Sequence, residues 1–90
     1  MGLDPRWRTL RELDLAAARD KGAAFRIFKR LAGEYREGTD YVVLHHEADA
    51  TAVNALREQQ RVYANSINVV LLSPAFAAAV LAALQASASR

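Results

Sequence analysis

Arg26, Lys29 and Arg30 fall at i, i+3 and i+4 of one stretch, so a helix there sets three cations on one face. Such a row can pair with phosphates, and an arginine in it can grip a guanine through two parallel hydrogen bonds. Arg19 and Lys21 stand just ahead of the row, and Arg6, Arg8 and Arg11 lie further upstream. Residues 1–30 hold eight basic side chains against four acidic ones, a balance of +4, whereas residues 31–90 carry −2. A basic region on a near-neutral body is the footprint of a polyanion binder; a solvated, arginine-rich helix face gives the same count.

Other side chains offer less chemistry. His45, His46, Glu47 and Asp49 include metal-ligating types, but neighbouring residues of a strand point to opposite faces, so the two imidazoles do not readily share one ion. Zinc also wants three or four ligands, and the chain has no cysteine and no further histidine. Ser66 and Ser73 lack the G-x-S-x-G frame of a strained nucleophile. Neither a dinucleotide-binding glycine pattern nor a P-loop occurs. Glu34 and Glu37 read as solvated link residues. An enzyme is therefore the least expected class, and no cofactor or metal is implied.

The cationic row needs two helices to hold it. Thr9 followed by Glu12 makes a capping box for a first helix, with Leu10, Leu13 and Ala17 as its apolar stripe. Ala16, Ala17 and Ala18 are small enough for two helices to approach at a turn. Asp20 is expected to cap a second helix over 21–32. Ala24, Phe28 and Leu31, with Ile27 beside them, form its buried side. Ahead of both, Asp4-Pro5 favours a turn, so residues 1–8 read as a short arm in which Trp7 packs against the first helix.

The order Thr9, Leu10, Glu12, Leu13, then Ala23, Arg26, Lys29, Arg30 and Leu31 resembles the helix-turn-helix of winged DNA-binding regulators. The nearest outlines are the MerR and excisionase type and the phage Rha or antirepressor type. The resemblance covers residues 9–31 of the 90. Asp14 departs from it, standing where the pattern has a small alanine, and the turn glycine corresponds either to Ala18 or to Gly22. The resemblance implies that helix 21–32 lies in the major groove, with Arg26, Lys29 and Arg30 facing bases and phosphates. Arg19 and Lys21 then contact phosphates at the turn, with Arg6, Arg8 or Arg11 as outer contacts. It also implies double-stranded DNA as partner, and a homodimer on a symmetric site.

Gly33 and Gly38 bracket a polar link. Tyr41, Val42, Val43 and Leu44 mark a strand within 40–47 that is apolar on both faces and so must be covered on both. A third helix, capped by Asp49 or Thr51, runs to about Gln60 with Val53 and Leu56 inward; a minimal wing has no such insertion. Val62 to Leu72 reads as a second β segment, broken by a bulge or turn at Asn65-Ser66, that pairs antiparallel with Tyr41–Leu44. Arg61 and Tyr63 stand where a wing touches a nucleic-acid backbone. Ser73-Pro74 starts a last helix over 74–86, with Phe76, Val80, Ala83 and Leu84 as its stripe. Its other side is nearly all alanine, which suits either a dimer or partner contact or a docked terminal helix with a bland surface; Ser87 to Arg90 are expected to fray.

The whole is read as one α+β domain, residues 1–90, winged-helix-like, in the order α-α-β-α-β-α with a two-stranded antiparallel sheet. Residues 1–8 are the arm, 9–32 the helix-turn-helix, 40–73 the strand-helix-strand wing region and 74–86 the C-terminal helix. A chain this short has a thin core, which dimerisation would supplement. Its 52% hydrophobic and 24% charged residues are ordinary for a soluble protein. No apolar run reaches the roughly 20 residues of a membrane span, and no apolar segment of signal-peptide type follows Arg6 and Arg8. The absence of cysteine fits a cytoplasmic setting. The expected function is a sequence-specific DNA-binding regulator. The alternative is a protein-interaction domain, such as an antirepressor or adaptor, that uses the alanine face and the inserted helix.

Overall fold

The computed structural model describes residues 6–63 and 68–88, with the side chains of 87 and 88 left aside. Its elements are β1 (Arg8–Thr9), α1 (Leu10–Ala16), α2 (Ala23–Leu31), a 3-10 turn (Ala32–Glu34), β2 (Tyr41–Leu44), α3 (Ala50–Glu58), β3 (Val69–Leu72) and α4 (Pro74–Ala88). The fold is α+β as expected, but the sheet has three strands rather than two. β3 is central, with β1 and β2 antiparallel on either side. The extra strand is the end of the supposed arm: Arg8 pairs with Leu72 and Thr9 with Leu71. Two residues are too few to show strand periodicity in a sequence.

The sheet is covered on both faces, as its apolar strands require. Leu72 and Val70 of β3 and Tyr41 of β2 turn to a core made with Leu13 of α1, Ala24 and Phe28 of α2, and Phe76, Val80 and Leu84 of α4. Val69 and Leu71, with Leu44 of β2, turn to a second core with Val53 and Leu56 of α3. The inserted helix therefore has a structural job: it seals the sheet face that the helix pair leaves open. Trp7 packs on this second core rather than on the first.

Local signals explain most element starts. Thr9 Oγ1 accepts from the Glu12 N–H at 3.1 Å, and Glu12 Oε1 accepts from the Thr9 N–H at 2.9 Å, closing the capping box. Ser73 Oγ accepts from the Phe76 N–H at 3.3 Å ahead of Pro74. The polar link holds one core residue: the Tyr35 ring stacks on Phe76, centroids 3.9 Å apart. α3 begins after Asp49, whose Oδ2 accepts from the His45 N–H at 3.0 Å rather than from the helix. Gln60, at φ 59°, ends that turn. α4 runs to Ala88, two residues past the expected end. The Asn65-Ser66 turn lies outside the described residues.

The second helix starts later than expected. Its N-cap is Gly22, at φ 93°, and not Asp20. Both candidate turn positions are left-handed, Ala18 at φ 54° and Gly22 at φ 93°, so the link between α1 and α2 bends twice. Asp20 still meets the helix start, but through its backbone: its carbonyl accepts from the Ala23 N–H at 3.1 Å.

Candidate nucleic-acid interface

The turn is fixed by Asp14, the residue that departs from the helix-turn-helix pattern. It sits on α1, is only 1% exposed, and reaches across to α2. Its Oδ1 accepts from the Ala24 N–H at 2.7 Å and its Oδ2 from the Gly22 N–H at 3.2 Å. These are amides that a helix start leaves without intrahelical partners. Asp14 is thus the cap of α2 supplied from the neighbouring helix, and it sets the second helix relative to the first. The Tyr63 hydroxyl donates to the same Oδ2 at 2.6 Å.

Burial first, then the hydrogen bond and the charge of Asp14, push the Tyr63 hydroxyl up from 10.0 to about 12. A raised pKa means that the neutral, donating form is favoured by folding. Its stabilisation is complete below pH 10 and is lost as the pH climbs through about 12. Urea midpoints measured across that window should therefore fall more steeply for the parent protein than for Tyr63→Phe. Curves of equal slope would place Tyr63 outside the cap.

The segment leaving α3 is tied to the helix pair at further points. Arg61 donates through Nη2 to the Trp7 carbonyl at 2.7 Å and to Glu12 Oε1 at 3.0 Å. Thr9 Oγ1 donates to the Arg61 carbonyl, and Arg11 Nη1 donates to the Gln60 carbonyl. Burial opposes ionisation of Glu12, but the hydrogen bonds from Arg61 and Thr9 and the Arg61 charge outweigh it and hold its pKa below 4.5. Arg61 and Tyr63, read as wing contacts, are spent on these internal links.

The six candidate cations separate into two groups. Arg11 is bonded to the Gln60 carbonyl and lies 5.8 Å from the Tyr63 ring centroid. Lys21 Nζ also stands over that ring, 5.0 Å from its centroid. Arg19 donates to the Leu84 carbonyl at 3.0 Å, linking the turn to α4. Of the outer pair, Arg8 Nη1 lies 3.7 Å from Glu12 Oε2. Arg26, Lys29 and Arg30 differ: all three are exposed on α2, and among the described residues none of them pairs with a carboxylate. Glu12, one acid that could have neutralised them, is taken by Arg8 and Arg61.

Phe25 is the residue of this face that the sequence did not single out. It is 45% exposed, with Lys29 Nζ 5.5 Å above its ring. Its spacing, four residues before Lys29, would have placed it there. A cleft of about 240 Å³ opens beside it, lined by Leu10, Lys21, Gly22, Tyr63 and Val70 among others. His45 and His46 are both exposed, and His46 Nε2 lies 3.7 Å from Glu47 Oε1. Among the described residues no three His, Asp or Glu side chains converge to hold a metal ion, and no helix is long and apolar enough to cross a membrane. No family model, curated protein or solved structure matches the chain.

Proposed function

We propose that the protein is a winged-helix-like regulator that binds double-stranded DNA, with α2 as the helix that enters the major groove. The observation that carries this reading is the state of Arg26, Lys29 and Arg30. Three exposed cations share one helix face with no carboxylate partner among the described residues, while nearby cations are engaged internally. A solvated face of no function is commonly laced with acidic residues at i+4 spacing; the outer side of α2 has none. The architecture supports the same reading. A short strand leads into a helix pair, and an antiparallel strand pair follows, with α3 set into the connection where a wing would lie.

Fluorescence anisotropy of a labelled random duplex at two salt concentrations tests it. Binding at low salt that falls steeply as salt rises is the expected result, because cations on phosphates release counterions. A duplex that stays free at low salt would overturn it.

One feature favours the second reading, a protein-interaction domain. Leu15 is 60% exposed beside Ala16, and Ala78 and Leu81 of α4 border the same shallow groove. A second copy docked there would bury Leu15 and Leu81 without engaging the cationic face of α2. Sedimentation of the parent protein against Leu15→Glu distinguishes a dimer at this groove from a monomer.

A further inference from the structure

Phe25 is the large apolar residue of α2 that the fold leaves exposed, its ring bordering the cleft beside Leu10, Gly22 and Tyr63. The other large apolar residues of α2, Ile27, Phe28 and Leu31, pack into the core between the helices and the sheet. Phe25 remains 45% exposed, and among the described residues its one ring partner is Phe28, at 6.3 Å between centroids. It stands on the outer arc of α2 with Arg26, Lys29 and Arg30, an arc that carries no acid. Whatever covers this ring must be anionic around it and apolar where it touches. The major groove has that character: phosphates line its rim, and the thymine C5-methyl is the apolar group on its floor.

The position along the helix is also specific. Phe25 is the third residue of α2. The first turn of a groove-bound helix is the part that reaches base edges. Arg26 leans back the same way: its Nη1 lies 3.7 Å from where a Cβ on Gly22 would stand. The Arg26 guanidinium therefore lies at the leading end of the helix, one residue from Phe25, with Lys29 Nζ 5.5 Å over the ring.

We infer that Phe25 is a specificity-determining residue that reads a thymine methyl group, next to a base pair read by Arg26. This rests on the DNA reading above. A phenyl ring has no donor or acceptor, so it distinguishes thymine from cytosine through the methyl alone. The preferred site then contains a thymine neighbouring a guanine.

The test separates the two readings. A random duplex pool is enriched for binding to the parent protein, then amplified again with deoxyuridine in place of thymidine, which removes the methyl and leaves the pairing edges intact. The parent should bind the thymine pool about fourfold more tightly than the uracil pool, the worth of one buried methyl group. Phe25→Ala should bind both pools alike while keeping the parent's salt dependence, and Phe25→Leu, still apolar, should keep part of the preference. A parent indifferent to the methyl, or a Phe25→Ala that retains the preference, overturns the inference and leaves DNA binding standing. Failure of every duplex to bind removes both.

Discussion

Asp14→Ala is expected to destabilise the domain by about 3 kcal/mol. The side chain is 1% exposed and accepts three hydrogen bonds, from the Gly22 and Ala24 amides and the Tyr63 hydroxyl. Loss of a helix cap costs about 1 kcal/mol, and each buried donor left without a partner adds about 1 kcal/mol or more. For a 90-residue domain with about 5–13 kcal/mol in hand, that is a large share of the total. Urea unfolding reads it as a lower midpoint with an unchanged slope. Asp14→Asn keeps one oxygen to accept an amide and should fall between. The double variant Asp14→Ala with Tyr63→Phe should lose less than the two single losses added together, because the stranded hydroxyl is gone. An Asp14→Ala midpoint within error of the parent would show that the turn is held by something else.

Arg26→Ala combined with Arg30→Ala is expected to weaken random-duplex binding about 10- to 100-fold at low salt, as two contacts of about 1 kcal/mol each would. The unfolding midpoint should hardly move. Both side chains are exposed and pair with no carboxylate among the described residues. Arg30 is in the last turn of α2, where a cation favours the helix dipole by about 0.3–1 kcal/mol. Lost affinity in a folded variant assigns the face. Undiminished affinity moves the interface elsewhere, and the α1–α4 groove around Leu15 and Leu81 becomes the surface to pursue.

What could be read from the chain divides by the range of the interaction. The Thr9–Glu12 box, the Ser73-Pro74 start and the apolar stripe Ala24–Phe28–Leu31 rest on spacings of a few residues, and the pairing of Tyr41–Leu44 with the strand ending at Leu72 was legible because each strand shows its own run of β-forming residues. What was not legible runs between elements. Asp14 looked like a departure from a pattern because its partners, Gly22, Ala24 and Tyr63, are 8, 10 and 49 residues away. Asp20 looked like the cap because it stands next to the helix, and the left-handed Gly22 removed it. Arg61 looked like a surface cation, yet its guanidinium closes on Trp7 and Glu12 across the sheet edge. The sequence called for cover on both faces of the sheet, but only the fold shows the inserted helix supplying it on the second face. The cationic row itself was legible, since i+3 and i+4 spacing is a property of the helix; its lack of acidic partners depended on the fold.

The central claim is that α2 meets DNA through Arg26, at a base edge, and Arg30, at the phosphate backbone. The measurement that tests it most directly is the dependence of duplex affinity on salt, for the parent and for the Arg26→Ala, Arg30→Ala variant side by side. In a plot of log affinity against log salt, the parent should fall with a slope of about −0.9 for each phosphate contacted, and the variant's line should be shallower by about 1, for the phosphate contact of Arg30. Parallel lines would contradict the assigned face, and a flat line for the parent would contradict binding to DNA altogether.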